Sequence, residues 1–131
     1  MPGNKVVARY RDGKTIKGTT TDFIPTRDTF HVHPEGGGVG VPVKHSDLKA
    51  IFFVRDYAGD PGHRPKNEYD TSKPVIGKKI KVVFSDGEVI VGTTQGYQPG
   101  RPGFFVVPAD PASNAERVYV LSAATRDVQL T

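Results

Sequence analysis

An internal repeat constrains this chain more than any other feature. Residues Lys5 to Pro34 align without a gap onto Lys79 to Pro108, at a constant offset of 74 residues. Twelve of the thirty pairs are identical, among them Asp12/Asp86, Gly13/Gly87, Gly18/Gly92, Thr20/Thr94, Arg27/Arg101 and Phe30/Phe104. A duplication of this kind makes each half one supersecondary unit and lets either copy serve as a control for the other. In a chain of 131 residues each unit has about 55–60 residues, a size that is marginal alone. The two units are therefore expected to pack together.

Each copy reads as strands separated by turns. In copy one Val6, Ala8 and Tyr10 alternate with Val7, Arg9 and Arg11; in copy two Ile80, Val82 and Phe84 hold the same parity. That triplet marks a core face. Asp12-Gly13 and Asp86-Gly87 follow at once, and Asp-Gly suits the positive φ angles of a tight hairpin, so the second strand returns antiparallel. Gly18 and Gly92 sit inside that second strand, where a bulge or sharp bend is expected. Strand three is read at 30–33 or 104–107, strand four at 41–44 or 118–121, and strand five at 51–54 or 128–130. The offset grows from 74 to 77 in the loop around residues 110–117. No segment carries a helical period, so the chain is all-β.

Five short strands, an early Asp-Gly hairpin and a bent second strand resemble the Sm-like or SH3-like small barrel. The expected architecture is thus a tandem duplication of such a barrel, with a pseudo-two-fold relation. Residues 1–56 form copy one, 57–74 a linker rich in Pro, Gly and charge, and 75–131 copy two.

Composition excludes several classes. The absence of Cys removes disulfides, thiolate metal sites and Cys nucleophiles together. The start lacks the apolar segment of a signal peptide, and the longest apolar run, Ala50 to Val54, is far too short to span a bilayer. A soluble cytoplasmic protein is the expectation. The net charge of +4 arises from 18 basic and 14 acidic residues without a dense basic run, which permits a nucleic-acid partner but does not demand one.

The copies differ on their outward faces. Copy one carries Arg9, Thr15, Lys17, His31 and His33 where copy two has Val83, Val89, Val91, Phe105 and Val107. An apolar second face should be covered. These five residues are expected to pack on copy one, or failing that to form a homodimer contact.

Residues with chemical potential are few. His31 and His33 project from one face of a strand, as paired imidazole ligands do, but no acid lies at ligand spacing and copy two replaces both. No metal or other cofactor is expected. His45-Ser46-Asp47 holds the letters of a catalytic triad without its geometry, and Gly36-Gly37-Gly38 lacks the strand–loop–helix setting of a phosphate cradle. An enzyme is not expected. Arg27 and Arg101 keep a planar cationic fork at one turn position in both copies, and Arg55 closes strand five of copy one. These three are the candidate contacts for a protein or a small anionic ligand. The alternative is nucleic-acid binding through Arg9, Arg11, Lys14, Lys17, Lys79 and Lys81, with Tyr57, Tyr69 and Tyr97 for stacking.

The run Ile51-Phe52-Phe53-Val54-Arg55-Asp56-Tyr57-Ala58-Gly59-Asp60, with Arg101-Pro102-Gly103-Phe104-Phe105 and Pro108-Ala109-Asp110-Pro111, resembles a bacterial family of uncharacterised domains. The likeness spans nearly the whole chain. It implies a small accessory module without a known activity, sometimes associated with PilZ-type signalling proteins. PilZ domains themselves use Arg-x-x-x-Arg followed by Asp/Asn-x-Ser-x-x-Gly. Here Asp70-Thr71-Ser72 opens the second pattern, Val75 stands where Gly is needed, and the arginine pair does not occur. The expected role is a non-catalytic, regulatory binding or adaptor module.

Overall fold

A computed structural model describes residues 4–25, 27–34, 38–55, 77–95, 97, 100–109 and 115–130. Ten strands follow one another: β1 Asn4–Tyr10, β2 Thr15–Thr20, β3 Thr29–Pro34, β4 Val41–Lys44, β5 Leu48–Val54, β6 Lys78–Phe84, β7 Val89–Thr94, β8 Gly103–Pro108, β9 Ala115–Leu121 and β10 Thr125–Leu130. One 3₁₀ turn, His45–Asp47 or Ser122–Ala124, precedes the fifth strand of each half. The all-β expectation holds. The linker, with Tyr57, His63, Tyr69 and the Asp70-Thr71-Ser72 pattern, lies outside the described residues, as do residues 110–114.

The strands form one antiparallel sheet in the order β10-β6-β7-β8-β9-β5-β1-β2-β3-β4. Each half has the same internal order, its fifth strand beside its first and its fourth at the far edge. The sheet is open, with β4 and β10 at its ends, rather than two separately closed barrels. Nor does a two-fold relate the halves. A two-fold contact pairs like with like, whereas here the fifth strand of copy one, β5, pairs with the fourth strand of copy two, β9. The relation is head to tail. Among the described strands, each half thus leaves unpaired the edge that its counterpart uses at the junction.

Local chemistry explains the turns. Gly13 and Gly87 hold φ angles of 97° and 95°, left-handed backbone that glycine adopts without a Cβ clash. The second-strand glycines answer a different need. The β1–β2 and β6–β7 ladders run through Gly18 and Gly92 without a register shift, so neither is a bulge. Instead, a Cβ on Gly18 would lie 2.1 Å from the His33 carbonyl oxygen, and one on Gly92 would lie 2.0 Å from that of Val107. The third strand crosses too closely for any side chain. Register shifts occur elsewhere, at Arg9/Tyr10, Phe53/Val54 and Thr125/Asp127.

Two cores result, and the junction strands belong to both. Val6, Ala8, Phe30, Val32, Val43, Leu48, Ile51 and Phe53 pack with Tyr119 and Leu121 from copy two. Ile80, Val82, Phe84, Phe104, Val106, Val118 and Val120 pack with Ala50 from copy one, and Phe52 lies against them. Both β5 and β9 therefore send alternate residues into opposite cores, which explains their near-continuous apolar runs. Their counterparts are different. β10 reads Thr-Arg-Asp-Val-Gln-Leu and has no fully buried residue, while in β4 only Val43 is buried.

Candidate functional site

The junction is the most elaborate polar and aromatic site in the described structure. On one side Lys49 of β5 is only 8% exposed. Its ammonium lies 2.7 Å from Asp86 Oδ2, contacts Glu88 Oε1, and sits 4.7 Å from the centre of the Phe84 ring. Arg9 joins from copy one, 3.6 Å from Glu88 and stacked on Phe52 at 4.9 Å. The Lys49 ammonium, with the Glu88 backbone N–H, holds the Asp86 carboxyl below its ordinary value. The hairpin that turns β6 into β7 has become a carboxylate socket for a buried lysine.

On the other side the junction is aromatic. Phe23 of copy one meets Tyr119 at 5.3 Å, Phe53 at 5.4 Å and Phe105 at 6.2 Å between ring centres. Arg117 lies over both Phe53 and Phe105, at 4.3 and 5.0 Å. The Tyr119 ring covers Gly103 so closely that a Cβ there would come within 2.5 Å of it. Burial raises the Tyr119 hydroxyl above its usual range, with Arg101 opposing. His45 completes the cluster at 6% exposure, between Phe23, Phe30 and Tyr119. Its Nε2 has no hydrogen-bond partner, and desolvation lowers its pKa against the pull of Asp28. A neutral imidazole is the form that this nest accommodates.

A second polar arrangement lies on copy one. Asp22 Oδ1 accepts hydrogen bonds from the His31 backbone N–H at 2.9 Å and from the Thr20 hydroxyl at 3.2 Å; its Oδ2 pairs with His31 Nδ1 at 2.7 Å. Partial burial works to raise the Asp22 carboxyl, but the bonds from His31 and Thr20 outweigh it and leave the group below its ordinary value. His31 is thus tied to a carboxylate rather than aimed, with His33, at a common point. Among the described residues no three His, Asp or Glu side chains gather as a metal would require.

The charged candidates are dispersed. Arg55 follows β5 at its Val54 end, whereas the Arg101 carbonyl accepts a bond from Ser122 at the Leu121 end of β9. Because β5 and β9 are antiparallel, these two backbones stand at opposite ends of a ladder about 20 Å long. Arg27 caps a turn through its N–H to the Ile24 carbonyl. The three do not converge on one groove. Of the basic set, Arg9 is engaged in the junction, Arg11 reaches the Ser46 carbonyl at 3.4 Å, and Lys14 lies 3.9 Å from Asp12. Arg11, Asp12 and Lys14 line an open groove of about 870 Å³ with Tyr10, Ile16 and Asp47. Lys17 is on the outer face of β2 beside Val7, and Lys79 and Lys81 are exposed on β6.

The outward residues of copy two divide into two groups. Phe105 packs on the copy-one core. Val83, Val89 and Val91 are half-buried, and Val107 is 52% exposed. The junction itself forms through β5 and β9, and their apolar stretches 50–54 and 118–121, set against the polar β10 and the short β4, are the signal for it in the sequence.

The pattern of one protein family matches residues 3–131. The chain belongs to that family, a family of unknown function (DUF6982). No curated protein and no solved structure matches it. Membership therefore agrees with the expected uncharacterised family and adds no activity. No helix among the described residues is long and apolar enough to cross a membrane.

Proposed function

We propose that this DUF6982 protein is a non-catalytic binding module, built as a tandem duplication of a five-stranded Sm/SH3-like unit, whose partner is another protein. The observation that carries this reading is the outer face of β6–β8. There Val83, Val89 and Val91 are half-buried and Val107 is half in water, while the same positions of copy one hold Arg9, Thr15, Lys17 and His33. A cluster of partly exposed valines on one sheet face is the kind of apolar patch that a contact surface presents. A regulatory role beside bacterial signalling proteins is the setting that the sequence resemblance implies.

Capture from an extract of the source cells, with wild type and a Val91→Asp/Val107→Asp double variant, tests this. The expected result is a protein retained by wild type at high salt and lost from the variant. Identical retention by both would overturn the reading. So would retained nucleic acid released steeply by salt, the behaviour of counterion-dependent binding through Arg11, Lys14, Lys17, Lys79 and Lys81.

A further inference from the structure

The junction describes how one strand docks on a fifth strand, and copy two presents the same fifth strand with no described strand on its second edge. β5 pairs with β1 on one edge and β9 on the other; its counterpart β10 pairs with β6 alone among the described strands. In copy one the second edge is sealed by Tyr119 against Phe23 and by Arg117 and Phe105 over Phe53, which leaves Phe53 5% exposed. The equivalents in copy two are Tyr97 for Phe23 and Leu130 for Phe53. Leu130 is 42% exposed, and with Tyr97, Thr94, Gln95, Lys78 and Gly77 it lines a groove of about 310 Å³.

The geometry points to this edge as a strand-docking site for an extended segment of another protein that places an aromatic side chain where Tyr119 sits at the junction. Backbone pairing with the open edge of β10 supplies affinity, and the Tyr97–Leu130 groove supplies selection for the ring. A second copy of this chain is a poor occupant. Its strand β4, which pairs with β3 alone among the described strands, carries Pro42 at the Tyr119 position and Lys44 at that of Leu121, and Gly40 just before it stands at that of Arg117. Docking it would also bring Arg126, the counterpart of Lys49, towards Lys14, where the junction has Glu88. The site is separate from the valine face of β6–β8 and does not depend on it.

The test uses the full chain and three labelled synthetic peptides: residues 115–121 of β9, the same peptide with Tyr119→Ala, and residues 39–44, which include β4. The β9 peptide should bind, and Leu130→Asp in the protein should weaken it by about tenfold or more. The Tyr119→Ala peptide and the β4 peptide should bind far less, and Val107→Asp should leave binding unchanged. Leu130 is exposed near a strand end, so its variant should keep the wild-type melting curve. Failure of the β9 peptide to bind at about 1 mM overturns the site. Binding that ignores either Leu130→Asp or the loss of the tyrosine ring overturns it as well. Concentration-dependent self-association abolished by Leu130→Asp would make a second copy the occupant instead.

Discussion

His45 shows how a single residue records the presence of the other copy. Its counterpart in copy two is Ser122, whose hydroxyl donates to the Arg101 carbonyl at 2.8 Å. His45 instead lies in an aromatic nest completed by Tyr119, its Nε2 unpaired and its pKa depressed by burial. In the unfolded chain the imidazole protonates near its ordinary value of about 6.5. The folded state resists that proton, so the unfolded state binds more of them as pH falls. Stability should therefore decline as pH drops below about 6.5, and the loss should level off below the depressed folded value. Urea melts between pH 7.5 and 5 should show this slope, and His45→Ser should flatten it. A slope that survives the substitution would assign it to another group.

The strands were largely legible. Alternation, the Asp-Gly turns and the repeat located all ten, because each residue pair reports the same local pleat and twist. Boundaries drifted where polar residues fall near a strand's start: β5 begins at Leu48, β9 at Ala115 and β10 at Thr125, each three residues before the apolar stretch that marked it. How the halves join was less legible, since the β5–β9 ladder and its flanking ion pairs bring together residues distant in sequence. Lys49 and Glu88 belong to different copies, and copy one has Lys14 at the place of Glu88. Glu88→Lys should therefore destabilise the fold, by on the order of 1–2 kcal/mol. That is less than a fully buried pair would lose, because Glu88 is partly in water. Adding Lys49→Met should recover part of the loss, since the buried cation would no longer face its own sign. Thermal melts of the single and double variants measure both effects, and no recovery would mean that the lysine's charge is not what the hairpin binds.

At the scale of the molecule, shared strands should make the two halves one cooperative unit. Tyr119 and Leu121 of β9 fill core one while Ala50 and Phe52 of β5 pack in core two, so neither core is complete without the other half. Calorimetry should give a single transition whose calorimetric and van't Hoff enthalpies agree. Val120→Ala, at a fully buried position, should lower that transition by about 2 kcal/mol without splitting it. Two separable transitions would mean that the cores are energetically independent despite the strands they share.

Head-to-tail pairing carries a consequence for how the chain folds in company. Among the described strands the backbone ladder between the copies is that of β5 with β9, and a copy two belonging to another molecule offers the same strand. What favours the chain's own half is proximity, an effective concentration set by residues 57–74. Crowded nascent chains would let the halves trade places between molecules, and because the contact is between unlike strands, such exchange need not stop at two. Covalent connection is in that sense what counts: joining the halves in one chain keeps a contact between unlike strands to a single use per molecule.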